Sequence, residues 1–153
     1  MILQKANPDD HKILTVITQK SKAYWGYSEQ QIKIWSDALT VTKTYLETTP
    51  VYKLSIDNQI VAYYSFVYED EHTVKLDNLF VLPKYIGKGV GLFLMNDFLN
   101  RLKETNFKKV ILHSEPNAEM FYAKFGFVKV GQLETSIKDR FLPILELILN
   151  DEI

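Results

Sequence analysis

The stretch Leu79-Phe80-Val81-Leu82-Pro83-Lys84-Tyr85-Ile86-Gly87-Lys88-Gly89-Val90-Gly91 decides how this chain is read. An apolar strand runs through Pro83 into a turn carrying glycines at 87, 89 and 91, and the pattern predicts an amphipathic helix over Gly87 to Lys103. Glycines remove side chains where backbone N–H groups must come close to a ligand, and the start of a helix adds the positive end of its dipole. Together they suit a pyrophosphate, although the same glycines also serve a tight turn packed between strand and helix. Two other phosphate patterns fit poorly. A P-loop needs Gly-Lys followed by Ser or Thr, but Lys88 lies between glycines; a dinucleotide fingerprint spaces its last two glycines three apart and follows a first strand.

Upstream, the chain reads as strands with helices before them. Ile2 to Lys5 suits a strand, and Asn7-Pro8-Asp9-Asp10 supplies helix-start chemistry for a run with Ile13, Leu14, Ile17 and Ala23. Gly26 breaks that run. Ser28-Glu29-Gln30-Gln31 then reads as a capping box opening a helix with Ile32, Ile34, Trp35 and Leu39. From Val51 to Ile56 the period is two, Asp57-Asn58-Gln59 reads as a turn, and Ile60 to Tyr68 is a nearly continuous apolar run expected at the centre of a sheet. Val74 to Leu82 completes three antiparallel strands.

Downstream, strand Lys109 to His113, helix Asn117 to Phe125, strand Phe127 to Gln132 and strand Phe141 to Leu149 follow. Pro143 places the last strand at an edge or a bulge. The sum is an α/β fold of mixed-sheet, α+β type, with helices against the sheet.

Composition bounds the function. The 153 residues are 46% hydrophobic and 24% charged, with 18 Lys and Arg against 19 Asp and Glu, for a net charge of −1. That balance argues against a nucleic-acid partner, which needs phosphates neutralised by a basic surface. No cysteine is present, so disulfides, thiolate zinc sites and Cys nucleophiles are excluded; no metal is expected. With neither a signal-peptide pattern nor a spanning apolar run, the expectation is one soluble cytoplasmic domain over 1–153 without a membrane partner.

Ile86 to Gly91 resembles, at both glycines, the acetyl-CoA loop of the GCN5-related N-acetyltransferases (GNAT family), [Q/R]-x-x-G-x-[G/A]. Ile86 departs from the family's Arg or Gln. Asn117-Ala118-Glu119-Met120-Phe121-Tyr122-Ala123-Lys124-Phe125-Gly126-Phe127 is similar to the family's N-x-x-A-x-x-F-Y-x-x-x-G-F region, with the alanine one place early. The resemblance implies a GNAT-like fold with the sheet splayed between strands 4 and 5, and acetyl-CoA as co-substrate. It assigns Leu79, Phe80, Val81, the loop Ile86, Gly87, Lys88, Gly89, Val90, Gly91 and Leu92, and Asn117, Phe121 and Lys124 to cofactor binding. Tyr122 is implied as the acid that protonates the leaving thiolate, and backbone N–H near Phe80 and Val81 as the oxyanion donor.

The acceptor is then a primary amine of a small molecule or protein, with Asp77 and His113 as candidate bases. Trp25 and Tyr27, at the helix break around Gly26, are candidates for the acceptor pocket, and Tyr45, Tyr63, Tyr64 and Arg140 are weaker ones. A catalytically silent acyl-CoA sensor is the alternative. A homodimer is expected only from the frequency of symmetric dimers.

Overall fold

In the computed structural model, residues 1–149 are described; the last four residues of the expected 1–153 domain lie outside them. The elements are β1 (Ile2–Lys5), α1 (His11–Tyr24), α2 (Glu29–Ile34), α3 (Lys43–Thr48), β2 (Val51–Ile56), β3 (Gln59–Tyr68), β4 (Thr73–Val81), α4 (Val90–Lys103), β5 (Lys109–His113), α5 (Glu119–Ala123), β6 (Val128–Glu134) and β7 (Phe141–Ile148). The strand order is β1-β2-β3-β4-β5-β7-β6. β4 and β5 are parallel, whereas β1–β2, β2–β3, β5–β7 and β6–β7 are antiparallel. By contacts the chain divides into two compact units. One is Met1–Phe66 with Asn78–Arg101; the other is Val67–Asp77 with the chain from Leu102 onward.

In the first unit, α1 forms because Leu14, Ile17, Thr18 and Ser21 fall at i, i+3, i+4 and i+7 and are all buried. Its entry is fixed by Asn7, whose Oδ1 accepts from Asp9 N–H (3.0 Å) while Asp10 Oδ2 accepts from Asn7 N–H (2.9 Å). Leu14 and Ile17 join Ala6, Val41, Leu46, Val51 and Tyr63 in one core, with Phe80 and Leu82 packed on it. Tyr63 and Tyr64 point to opposite faces of β3, yet both are fully buried. Val61 to Phe66 is thus covered on both sides, as expected for the middle of the apolar run, but Tyr68 at its end is 61% exposed. On the Tyr64 side, Phe66 and Phe98 pack at 5.3 Å, and the Tyr64 hydroxyl donates to Asp97 (2.5 Å), which also pairs with Arg101 (2.7 Å).

Two helix readings change. α2 ends at Ile34, with Trp35 as its cap, and Leu39 is held beyond it by a turn in which Leu39 N–H donates to the Trp35 carbonyl (2.9 Å). α3 is an addition: Thr42 caps Tyr45 N–H (3.0 Å), but Leu46 is its one buried residue, too little periodicity to read in six positions.

In the second unit, β7 lies between β5 and β6, so Pro143 is not at the sheet edge. Its strand tolerates it because the β5 ladder ends at His113↔Ile144, next to it, and there Pro143 serves only as an acceptor, its carbonyl taking Ser114 N–H (2.8 Å). The register shift in β6, between Lys129 and Gly131, lies opposite Leu145 and Ile144, whereas Pro143 pairs in register with Gln132; β6 is the edge. The expected helix 117–125 is shortened. Pro116–Ala118 forms a 3₁₀ turn before α5, and Gly126, at φ +96°, ends the helical run.

Candidate functional site

The first unit holds the glycine turn. After β4, Pro83–Tyr85 makes a 3₁₀ turn, with Tyr85 N–H on the Leu82 carbonyl (2.8 Å) and Ile86 N–H on that of Pro83 (3.1 Å). Gly87 and Gly89 then sit at φ +81° and +82°. That left-handed backbone stops the helix from starting at Gly87, so α4 begins at Val90. A Cβ at either position would meet nothing within 4 Å. The glycines are therefore demanded by backbone conformation, and the space over the turn is open. The first α4 bond runs from Phe93 N–H to the Gly89 carbonyl (3.0 Å), leaving the N–H groups of Val90, Gly91 and Leu92 without helical partners. No acid lies in the first turn of α4. Open space, unpaired donors and the positive end of a helix fit a pyrophosphate.

Beside the turn, Phe80 packs on Tyr63 (5.9 Å between ring centres), Val81 is buried, and Leu79 and Ile86 are half-buried. Lys88 is exposed and its ammonium lies 5.9 Å from the centre of the Tyr85 ring.

The aromatic break lies in the same unit. Trp25 meets Tyr24 edge-on at 5.0 Å, whereas Tyr27 meets Trp35 at 5.0 Å. An open groove of about 320 Å³ is lined by Tyr27 with Gln19, Ala23 and Ile32, without Trp25. Gly26, at φ +91°, turns the chain sharply, but the two rings take different partners rather than one common cleft. Tyr45, Ser65 and Asn78 form a polar cluster, with Asn78 Nδ2 3.1 Å from the Tyr45 hydroxyl and 3.0 Å from Ser65 Oγ. Its members are 13 to 33 positions apart, so no local pattern announces it.

The second unit holds the acid–base candidates. β4 and β5 pair from Thr73↔Lys109 to Lys75↔Ile111, and the ladder stops there although β5 continues to His113. The two strands separate beyond Lys75, with Asp77 on one and His113 on the other. His113 is exposed, yet its pKa lies below the usual histidine range. Partial loss of water around the ring is the larger cause and the Lys75 ammonium the next; Glu69 and Asp77 pull weakly the other way. Asp77 is half-buried and engaged with neighbouring groups.

Tyr122 is the buried residue of α5, 7% exposed, with its ring edge-on to Phe121 (5.1 Å) and Phe127 (5.9 Å). Its hydroxyl has no hydrogen-bond partner among the described residues. None of those residues holds a fully buried side-chain polar atom without a partner, so the oxygen tip keeps access to solvent while the ring does not. Burial raises its pKa above the ordinary tyrosine value and keeps the proton on.

Phe121 is half-buried against Phe125 (5.3 Å), while Asn117 and Lys124 are exposed. Asn117 Nδ2 donates to Glu115 Oε1 (2.9 Å), and Arg140 donates to Glu115 Oε2 (2.9 Å). Arg140, a weaker acceptor candidate by sequence, is thus committed to an ion pair whose side chains are 13% and 11% exposed. Tyr63 and Tyr64 are likewise engaged, with Thr18 (2.6 Å) and Asp97.

Residues 25–142 match the family described as an acetyltransferase (GNAT) domain. An uncharacterised N-acetyltransferase of Mycobacterium bovis is 34% identical over 74 residues, 46% of this chain. The match spans about half the length of that relative, 47%. Two solved structures share the fold: a GCN5-related N-acetyltransferase from Rhodopseudomonas palustris (TM-score 0.80, 21% identity, 97% of this chain and 95% of that one), and the PaiA N-acetyltransferase of Thermoplasma acidophilum in complex with coenzyme A (TM-score 0.77, 17% identity, 97% and 98%). With a family match over most of its length and a sheet whose parallel β4–β5 pair separates after three residues, this chain belongs to the GNAT acetyltransferase family.

Proposed function

We propose that the chain transfers the acetyl group of acetyl-CoA to a primary amine of a small molecule or protein. The observation that carries this is Tyr122, a buried tyrosine whose hydroxyl keeps its proton and has no hydrogen-bond partner among the described residues. Backbone N–H groups at Gly87–Leu92 hold the pyrophosphate, and backbone N–H near Phe80 and Val81 receives the carbonyl oxygen as it gains charge. His113, neutral at pH 7, takes a proton from the attacking amine directly or through water, with Asp77 beside it. The amine nitrogen bonds to the acetyl carbon, the carbon–sulfur bond breaks, and Tyr122 gives its proton to the departing sulfur. Solvent then returns a proton to the tyrosine. Support for the donor comes from the open glycine turn, and from a relative of the same fold that was solved with coenzyme A.

The reaction is tested by thiol release from acetyl-CoA over a panel of primary amines: a polyamine, an aryl-ethylamine, a lysine side chain in a peptide and a peptide α-amine. Turnover on one class, lost in Tyr122→Phe, is expected. Acetyl-CoA binding with no release on any amine would instead describe a silent acyl-CoA sensor.

A further inference from the structure

β6 ends the sheet, and no strand lies on its outer side among the described residues. Every residue of Val128–Glu134 except Gly131 is exposed, Val128, Val130 and Leu133 included. An apolar edge of this length presents unpaired backbone groups to another strand unless charges or a bulge blunt it. β6 has both: Lys129 near one end, Glu134 at the other, and a bulge at Val130, the extra residue between Lys129↔Leu145 and Gly131↔Ile144. Their placement decides which partner they admit.

Pro143 fixes the way the β6 backbone faces. Its carbonyl takes Ser114 N–H from the β5 side (2.8 Å), and the N–H and C=O of one strand residue point the same way. Gln132, directly opposite Pro143, is therefore in a non-hydrogen-bonded pair and turns its own N–H and C=O to the open edge. Lys129 and Glu134 lie opposite Leu145 and Phe141, which are four apart on β7. The bulge thus puts both charges on one face of the sheet, where Lys129 Nζ reaches Gln132 Oε1 (3.3 Å).

We propose that β6 pairs antiparallel with β6 of a second copy of the chain, across a twofold axis at Gln132. The two Gln132 residues exchange N–H···O bonds. Leu133 of each copy covers the bare Gly131 of the other, beside the Ile144 side chain that already lies against it. Glu134 of each copy meets the Lys129–Val130 bulge of the other. Opposite charges at the two ends make this register self-complementary, whereas parallel pairing in register sets like on like. The pairing is independent of the acetyl-transfer reaction proposed above.

Seven residues a side make a small interface, so the dimer should depend on concentration. Sedimentation equilibrium of the full chain tests it. Lys129→Glu and Glu134→Lys should each raise the dimer dissociation constant about tenfold or more, since each turns two attractive cross-strand pairs repulsive. An equimolar mixture of the two variants should recover the wild-type constant as a heterodimer, because both pairs are again opposite in charge. Lys129→Glu/Glu134→Lys should recover it alone. Gln132→Pro removes an N–H that β7 does not use, so it should abolish the dimer and keep the wild-type circular dichroism spectrum. If that variant fails to fold, the charge variants decide. A wild-type chain that stays monomeric through the millimolar range leaves the edge to a different partner and overturns the proposal. So does a dimer that tolerates both charge variants, or a mixture of them that stays dissociated.

Discussion

The glycine turn and the α5 tyrosine are built by opposite means. At Gly87 and Gly89 the chemistry lies in the main chain. The backbone is left-handed, the space above it is open, and the donors are N–H groups that any sequence with the right conformation would present. At Tyr122 the chemistry lies in one side-chain atom at the end of a buried ring. A backbone site tolerates many neighbouring side chains but not a new Cβ at φ +82°. A side-chain site tolerates backbone adjustment but not loss of its hydroxyl. The two should therefore fail in different measurements.

The largest effect is expected at Tyr122. Tyr122→Phe keeps the ring against Phe121 and Phe127 and removes only the hydroxyl, so kcat should fall about 10²- to 10⁴-fold, the usual worth of a general acid. Acetyl-CoA affinity should be unchanged by calorimetry. A fall below roughly threefold where chemistry is rate-limiting would reject the role. Because burial holds the proton on, activity should show no loss attributable to Tyr122 up to the ordinary tyrosine pKa of about 10.

The turn should break in the complementary way. Gly89→Glu adds a carboxylate to the cradle and a side chain to a strained backbone. CoA affinity should drop about ten- to a hundredfold, the equivalent of one or two charge-assisted hydrogen bonds. Unchanged affinity in a folded variant would remove the turn from the cofactor site. If Tyr122→Phe lost binding and Gly89→Glu lost only kcat, the division between backbone binding and side-chain chemistry would be inverted.

The same contrast explains what the sequence discloses. Gly87-Lys88-Gly89 and Phe121-Tyr122 are legible because their conformations depend on residues a few positions away. So are the Asp57-Asn58 turn, where both residues adopt positive φ (52° and 65°), and the Ser28 cap, whose Oγ accepts from Gln31 N–H at 3.0 Å. The sheet position of Pro143 is not legible, since its β6 partner, Gln132, lies eleven residues upstream across a loop. The commitment of Arg140 to Glu115 spans 25 positions, and that of Tyr64 to Asp97 spans 33. Side-chain partnership of this kind is settled by tertiary packing. That is why a candidate such as Arg140 reads as available in the sequence and is an ion-pair member in the fold.

A smaller effect separates two parts of the first unit. A fully buried tryptophan costs about 3–5 kcal/mol when cut to alanine. Trp25 is 37% exposed and meets Tyr24, itself 51% exposed, so Trp25→Ala should cost well under that in thermal or denaturant unfolding. Tyr27→Ala should cost more, because Tyr27 is half-buried against Trp35. If these aromatics contact the acceptor, its KM should rise several-fold in each variant with CoA affinity untouched, as the ordinary loss of about one aromatic contact. Unfolding with a normal acceptor KM in the surviving protein would place them in packing alone.

The smallest expected effect is a change in slope at His113. Its folded-state pKa lies below the unfolded value of about 6.5, because the ring is partly stripped of water and Lys75 opposes a second positive charge. Between those two values the unfolded chain binds more protons than the folded one, so stability must rise with pH through that window and fall as pH drops below about 6.5. His113→Gln removes the titrating group. Its unfolding free energy should therefore lose part of this acid-side slope, while other groups keep theirs. Lys75→Met should move the His113 titration upward, toward the unfolded value, and narrow the same window. With only three histidines in the chain, the His113 ring resonance is assignable by its loss in His113→Gln and can be followed directly by NMR. If His113 is also the base, the acid limb of kcat/KM should follow that resonance upward in Lys75→Met. A resonance that moves with a rate limb that does not would leave the electrostatics in place and pass the base role to Asp77 or water.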